Sequence, residues 1–199
     1  MHAWVVRHPE GAIVVDTGIG SGNSFIDDLY RPAITPMADA LTSIGLTPSD
    51  VAAVCLSHLH FDHCGQHDAF TAPVYVHASE HAAAQAFGYT VPEWAAIPDH
   101  RLRLTVGDEE IVDGIQLLAT PGHTPGHQSV VVRGGGECVV LAAQCAYRAV
   151  EMRSGEPAAS NLHDSESRDI ARDSLQRVRS LRPAAVHLSH DTAVVRLGA

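Results

Sequence analysis

The chain contains no lysine: all 13 of its basic residues are arginines, set against 23 acidic residues, for a net charge of −10. That balance excludes nucleic acid and anionic membrane surfaces as main partners. Arginine-only usage beside so many alanines reads as genomic composition and not as function. Long apolar runs are also missing. The longest, at 51–56 and 138–143, fall far short of the roughly 18–20 residues that cross a bilayer. The N-terminal Met-His-Ala-Trp-Val-Val-Arg has neither the basic region nor the apolar core of an export signal, so a cytoplasmic location is expected. Four cysteines (Cys55, Cys64, Cys138 and Cys145) include no CxxC pair, and outside an oxidising compartment they are expected to be free thiols. No repeat, low-complexity block or Ser/Gly linker divides the 199 residues, so they are read as one domain. At 45% apolar and 18% charged the chain is neither disordered nor fibrous.

What the chain has in excess is histidine, 14 residues. The element pattern shows where they fall. Residues 2–8 and 12–16 form a hairpin across Pro9-Glu10-Gly11, followed by the Gly-rich Thr17-Gly-Ile-Gly-Ser-Gly. Thr35 as cap, Pro36 at the first helical position and Met37, Leu41 and Ile44 predict a helix that ends at Gly45. A buried strand at 51–56 runs into Ser57-His58, and a strand at 73–77 feeds a helix capped by Ser79 that ends near Gly88. Antiparallel strands follow at 101–106, 109–119, 128–133 and 137–143. A helix over 165–182 buries Ala171, Leu175, Val178 and Leu181 and pairs Asp173 with Arg177, and a strand at 184–189 delivers His190. Strands then helix, in two halves, predict an α/β chain of two sheets with helices outside, an αββα sandwich.

The string Ser57-His58-Leu59-His60-Phe61-Asp62-His63 places three imidazoles and a carboxylate within six residues directly after an apolar strand. His58 and His60, two apart in extended chain, project to one side and can share a metal ion; Asp62 and His63, past the turn, can aim at a second. Imidazole nitrogens with a single carboxylate oxygen suit zinc better than calcium or magnesium.

This HxHxDH string resembles that of the metallo-β-lactamase superfamily of metal-dependent hydrolases, and other segments match along nearly the whole length. Val14-Val-Asp16-Thr-Gly18 is similar to an early turn whose Asp braces the metal loops. Thr120-Pro-Gly-His123-Thr-Pro-Gly and Leu188-Ser-His190-Asp191 are similar to the segments that supply the remaining histidines. The resemblance implies the αββα fold, with His58, His60 and His123 on a first zinc ion and Asp62, His63 and His190 on a second. His127 is expected to be structural, and His77, His81, His100 and His163 to sit at the surface or in local hydrogen bonds. One position departs from the pattern. Where many members carry a bridging Asp, this chain has Gln144, a neutral amide that cannot supply a shared negative charge, so one or two zinc ions are expected with the second held weakly. A solvent-facing strand end is the other reading of Gln144.

Tyr147, three residues after Gln144, the His58-Leu-His-Phe-Asp-His string and the Thr-Pro-Gly-His-Thr-Pro-Gly-His-Gln run resemble most closely the N-acyl-homoserine lactonases, which quench quorum signals. That branch implies opening of a lactone ring by a metal-bound hydroxide, with Tyr147 stabilising the oxyanion and Asp62 carrying the proton to the ring oxygen. Phe25, Phe61, Phe70, Phe87, Tyr89 and Trp94 are candidates for an acyl-chain pocket, some of them equally candidates for the core. Rival expectations are a glyoxalase II-like thioesterase, for which no basic glutathione-binding cluster is present, a six-ligand β-lactamase, which would need export, and a catalytically weak metal-binding homologue because of Gln144. Lactonase-like relatives carry a further strand or two before the segment matching residues 2–6. Either the sequence is short at this end or one sheet begins at a stripped edge, which would allow a homodimer.

Overall fold

The computed structural model describes residues 1–197. They gather into two compact units, one of residues 3–76 and 81–104, the other of residues 1–2, 77–80 and 105 onward. In the first unit β1 (Trp4–Val6) and β2 (Ala12–Val15) form the expected hairpin. β2 then pairs in parallel with β3 (Val51–Cys55), and β3 with β4 (Val74–His77). The short, unbroken apolar runs of β2 and β3 suit parallel strands covered on both faces. Val14, Val54, Leu56, Leu59, Phe70 and Val74 are buried in one core with Leu41. Leu41 comes from α2 (Met37–Ser43), which lies after α1 (Ser24–Tyr30). The sheet order is β1-β2-β3-β4-β5, with β5 at Leu102–Thr105.

The second unit carries a six-stranded sheet in the order β11-β10-β9-β8-β7-β6. β6 (Glu109–Val112), β7 (Ile115–Ala119), β8 (Gln128–Gly134) and β9 (Glu137–Ala143) are antiparallel neighbours. β10 (Ala185–Leu188) joins β9 in parallel, which requires a crossover. α6 (Ala149–Ser154) and α7 (Arg168–Ser180) lie in that crossover, and Leu175 and Val178 of α7 share a core with Val131, Val140, Met152 and Val186.

Several expected details differ. The run 109–119 is two strands, because Gly114 takes φ 73° and turns the chain back. Pro36 is the N-cap and not the first helical residue, and the Gln66 side chain, not Thr35, caps α2 by accepting the Met37 N–H at 2.9 Å. The helix after β4 is α4 (Ala78–Ala83), which begins before Ser79 and ends before Gly88, followed by the single turn α5 (Pro92–Ala95). Arg177 does not serve Asp173; its guanidinium reaches Asp108 Oδ2 at 2.6 Å and the Ala119 carbonyl at 2.6 Å, tertiary partners that outcompete a solvated pair along the helix. α1, α6 and β11 (Asp191–Val195) had no expected counterpart.

Candidate metal centre

The HxHxDH string leaves β3 and closes into the single turn α3 (Phe61–Cys64). The Gly-rich loop lies directly against it. Gly18 bridges to Cys64, and a Cβ on Gly65 would come within 1.9 Å of the Gly20 nitrogen. That approach requires glycine at 65 and at 20, where a Cβ would fall 2.7 Å from the Gly65 carbonyl oxygen, while Gly18 and Gly22 take φ 77° and 84°.

Asp16, fully buried, organises this half of the site. Its Oδ1 accepts the Ser57 N–H at 2.7 Å, and its Oδ2 accepts the Ser57 hydroxyl at 2.9 Å and His63 Nδ1–H at 2.8 Å. The Ser57 hydroxyl spends its proton on Asp16, so it accepts from His58 Nδ1, 3.0 Å away. Both rings therefore carry hydrogen on Nδ1 and not on Nε2, the form a metal ligand needs. His58 Nε2 faces His60 Nδ1 at 3.1 Å. Two nitrogens on one tetrahedral zinc would stand about 3.3 Å apart, from bonds of about 2.0–2.1 Å. Asp62 Oδ2 lies 3.5 Å from His63 Nε2. Asp16 thus holds Ser57 and His63 in place, as a brace would.

In the second unit, His123 donates Nδ1–H to the Asn161 carbonyl at 3.1 Å, so its hydrogen is again on Nδ1. His127 is different. Its Nδ1 is 3.0 Å from the Thr120 carbonyl and its Nε2 accepts the Gln144 N–H at 3.1 Å, so both nitrogens are committed and the ring is structural, as expected. Gln144 is buried, which removes the solvent-facing alternative, and its Oε1 lies 3.2 Å from His190 Nε2. Tyr147, half-buried, stacks on His190 with ring centroids 4.8 Å apart and planes 13° apart. Asp191 caps α6 through the Ala149 N–H and also accepts the Ala193 N–H, which together hold its carboxyl below the usual range. Burial pushes the Cys64 and Cys145 thiols up to about 12, so neither offers a thiolate.

Two trios among the described residues are candidates to hold a metal ion: His58, His60 and His123, and Asp62, His63 and His190. They are the six residues expected from the motifs. The donor set fits zinc, with five imidazoles, of which His58, His63 and His123 have Nδ1 already held, and one carboxylate. Among the other expected histidines, His77 lies with Nδ1 3.2 Å from the Ser79 nitrogen and Nε2 3.3 Å from that of Gly107, of which a neutral ring accepts from one, and His163 is exposed.

A pocket of about 460 Å³ in the first unit is lined by His60 and Asp62 together with Phe25, Tyr30, Phe61 and Tyr89. Tyr30 packs on Phe61 at 5.1 Å and Tyr89 on His60 at 5.0 Å. Of the aromatic candidates, Phe25, Phe61 and Tyr89 face this pocket. Phe70 is core, Phe87 is wholly exposed, and Trp94 packs against the core beside Gly20. Sequence reasoning missed Tyr30, Asn161 and Glu80. The last is a buried carboxylate that accepts the Thr124 hydroxyl at 2.6 Å and the Gly126 N–H at 3.2 Å. Asn161 leaves no trace because any residue can offer its carbonyl to His123.

The chain belongs to the metallo-beta-lactamase superfamily, whose family profile matches residues 2–190. It is similar to an N-acyl homoserine lactonase of Bacillus cereus, 33% identical over 151 residues that make up 69% of this chain and 60% of that one. It is also similar to one of Bacillus sp, 35% identical over 142 residues, or 65% and 56% of the two chains. The chain thus spans a little over half the length of these curated relatives. Among solved structures, an N-acyl homoserine lactone hydrolase with the product N-hexanoyl-L-homoserine at its catalytic metal center is 28% identical. The match covers 96% of this chain and 80% of that one, with a TM-score of 0.81. A dizinc quorum-quenching lactonase, 20% identical over 94% of this chain and 71% of that one, shares the fold with a TM-score of 0.70. The expected α/β class, with two sheets and helices in the metallo-β-lactamase fold, is the one observed.

Proposed function

We propose that this chain is a single zinc-dependent hydrolase domain that opens the lactone ring of N-acyl-homoserine lactones. The observation that carries this reading is the aromatic pocket, whose lining includes His60 and Asp62: an acyl chain seated against Phe25, Tyr30 and Phe61 would bring its polar end to those residues. The similarity to lactonases supports the same substrate class.

His58, His60 and His123 would hold a first zinc ion and Asp62, His63 and His190 a second. When bound, zinc makes water acidic enough to attack near neutral pH and polarises a carbonyl. The chain's own groups do the rest. Asp16 fixes the His58 and His63 tautomers. The Tyr147 phenol, held by stacking on His190, donates a hydrogen bond to the lactone oxygen as negative charge develops there. The Asp62 carboxylate, with a quarter of its side chain exposed, holds a proton and delivers it to the departing ring oxygen. Water adds across the acyl–oxygen bond, and the product is the open hydroxy acid. Four free cysteines support a reducing compartment such as the cytoplasm.

The test is metal content measured beside turnover of a lactone, a thioester and a β-lactam. Lactone turnover that a chelator abolishes and zinc restores is the expected result. Full activity in the metal-free protein would end the hydrolase reading, and preference for the thioester or β-lactam would replace the substrate.

Gln144 favours a second reading, a metal-binding homologue of low activity. Its neutral amide stands against His190 where an anionic ligand would offset the second cation. Gln144→Asp should then raise the zinc retained after dialysis, read by elemental analysis. Two equivalents in both proteins would make Gln144 a bystander.

A further inference from the structure

The hydrogen bonds around His123 close on themselves. His123 Nδ1–H donates to the Asn161 carbonyl at 3.1 Å, and the Asn161 side-chain amide donates to the Gln144 carbonyl at 3.1 Å. The Gln144 N–H donates to His127 Nε2 at 3.1 Å, and His127 Nδ1–H donates to the Thr120 carbonyl at 3.0 Å. Thr120 heads the loop that carries His123. Each bond has its direction fixed by chemistry, since a carbonyl only accepts and an amide N–H only donates.

We infer that Asn161 and His127 are positioning residues for His123, which this circuit holds in one tautomer with Nε2 facing a metal ion. The inference rests on the proposal above that His123 is a ligand.

Three features make the circuit more than local packing. It joins pieces far apart in sequence: the 120–127 loop, the end of β9 and the short helical turn Ala159–Asn161. Asn161 and His127 are both buried, so each bond is made away from water, where its loss is most costly. The Asn161 Oδ1 is buried without a partner, so the amide bond to Gln144 is what fixes the side chain. The circuit also passes through a constrained backbone: Ala143, just before Gln144, has φ 48°, a conformation that costs a non-glycine residue and persists only where its surroundings hold it.

The test uses the full chain with three substitutions. Asn161→Leu and His127→Leu break the circuit. Ser174→Ala removes a bond to the same loop, from the Ser174 hydroxyl to the Pro121 carbonyl at 2.6 Å, but leaves the circuit whole. Zinc affinity is measured by competition with a chromogenic chelator, and the His123 tautomer by long-range proton–nitrogen correlation in the metal-free chain. Expected are a loss of about 10- to 100-fold in zinc affinity for the two leucine variants, a mixed His123 tautomer in both, and wild-type values for Ser174→Ala. If His127→Leu fails to fold, Asn161→Leu decides alone. Unchanged affinity and a single tautomer in Asn161→Leu would overturn the inference, and so would an equal loss in Ser174→Ala, which would assign the effect to general loop packing. A wild-type chain that binds no zinc would instead remove the metal proposal on which the inference rests.

Discussion

Tyr147 and His190 share one stacked contact, and the two rings divide its work. In the proposed centre the imidazole would supply a ligand nitrogen, while the phenol ring stacks on it and leaves its hydroxyl to the substrate. Tyr147→Phe keeps the ring stack and removes only the hydroxyl. Lactone turnover should therefore fall about 10- to 100-fold, the range for losing one hydrogen bond made in the transition state, with zinc content unchanged. A rate equal to wild type would assign Tyr147 to packing. At this scale most of the candidate centre was legible, because ligand chemistry restricts residue type: His58, His60, Asp62, His63, His123 and His190 announce themselves by what they are. Their supports divide. Asp16 was legible through its Asp-Thr-Gly turn. Asn161 was not, since it acts on His123 through a backbone carbonyl common to all residues. Glu80 is one acid among many in the sequence, and nothing local to it shows that Thr124 and Gly126 reach it.

The elements that matter most for the centre are its loops, and close backbone approach shapes them. At Gly126 a Cβ would fall 2.1 Å from the Glu80 nitrogen and 2.5 Å from its Cβ. Both are inside contact distance, and neither is the tip of a flexible chain. Gly126→Ala must push the 120–127 loop away from Glu80, breaking the Thr124 and Gly126 bonds to a buried carboxylate. Unfolding by denaturant should show a loss of about 2–4 kcal/mol, the scale of an overpacked site that also strands a buried polar group. A loss below about 0.5 kcal/mol would mean that the loop has room to move. Regular elements were read well where a period ran uninterrupted, as in β2, β3, β8, β9 and α7. The misses have tertiary causes. The 109–119 run alternates plausibly throughout, and only the positive φ at Gly114 divides it. Seven-residue α1 buries Ile26 alone, too little apolar periodicity to be seen in advance.

Across the whole molecule, three histidines are held neutral by burial: His67 in the first unit, His77 and His187 in the second. His67 also feels the positive charge of Arg101, whose guanidinium donates to its backbone carbonyl at 2.7 Å. All three therefore have folded-state pKa values below the ordinary 6.5. Below about pH 6.5 the unfolded chain takes up protons that the folded chain refuses, so stability is full above that value and declines as pH falls through it toward the lowered ones. The metal-free chain should show a melting temperature that drops between pH 7 and pH 5, with a shallower drop in His67→Gln. Equal slopes in the two proteins would show that His67 contributes nothing to acid sensitivity. The aromatic pocket has a consequence for how such a chain can diversify. Phe25 and Tyr30 both come from α1, an element that supplies none of the six candidate ligands and anchors itself through Ile26. Under the proposed function, acyl preference would thereby be written on a short cassette separate from the candidate ligands. A lineage could then exchange that cassette for another and acquire a new diet while the proposed reaction stayed intact.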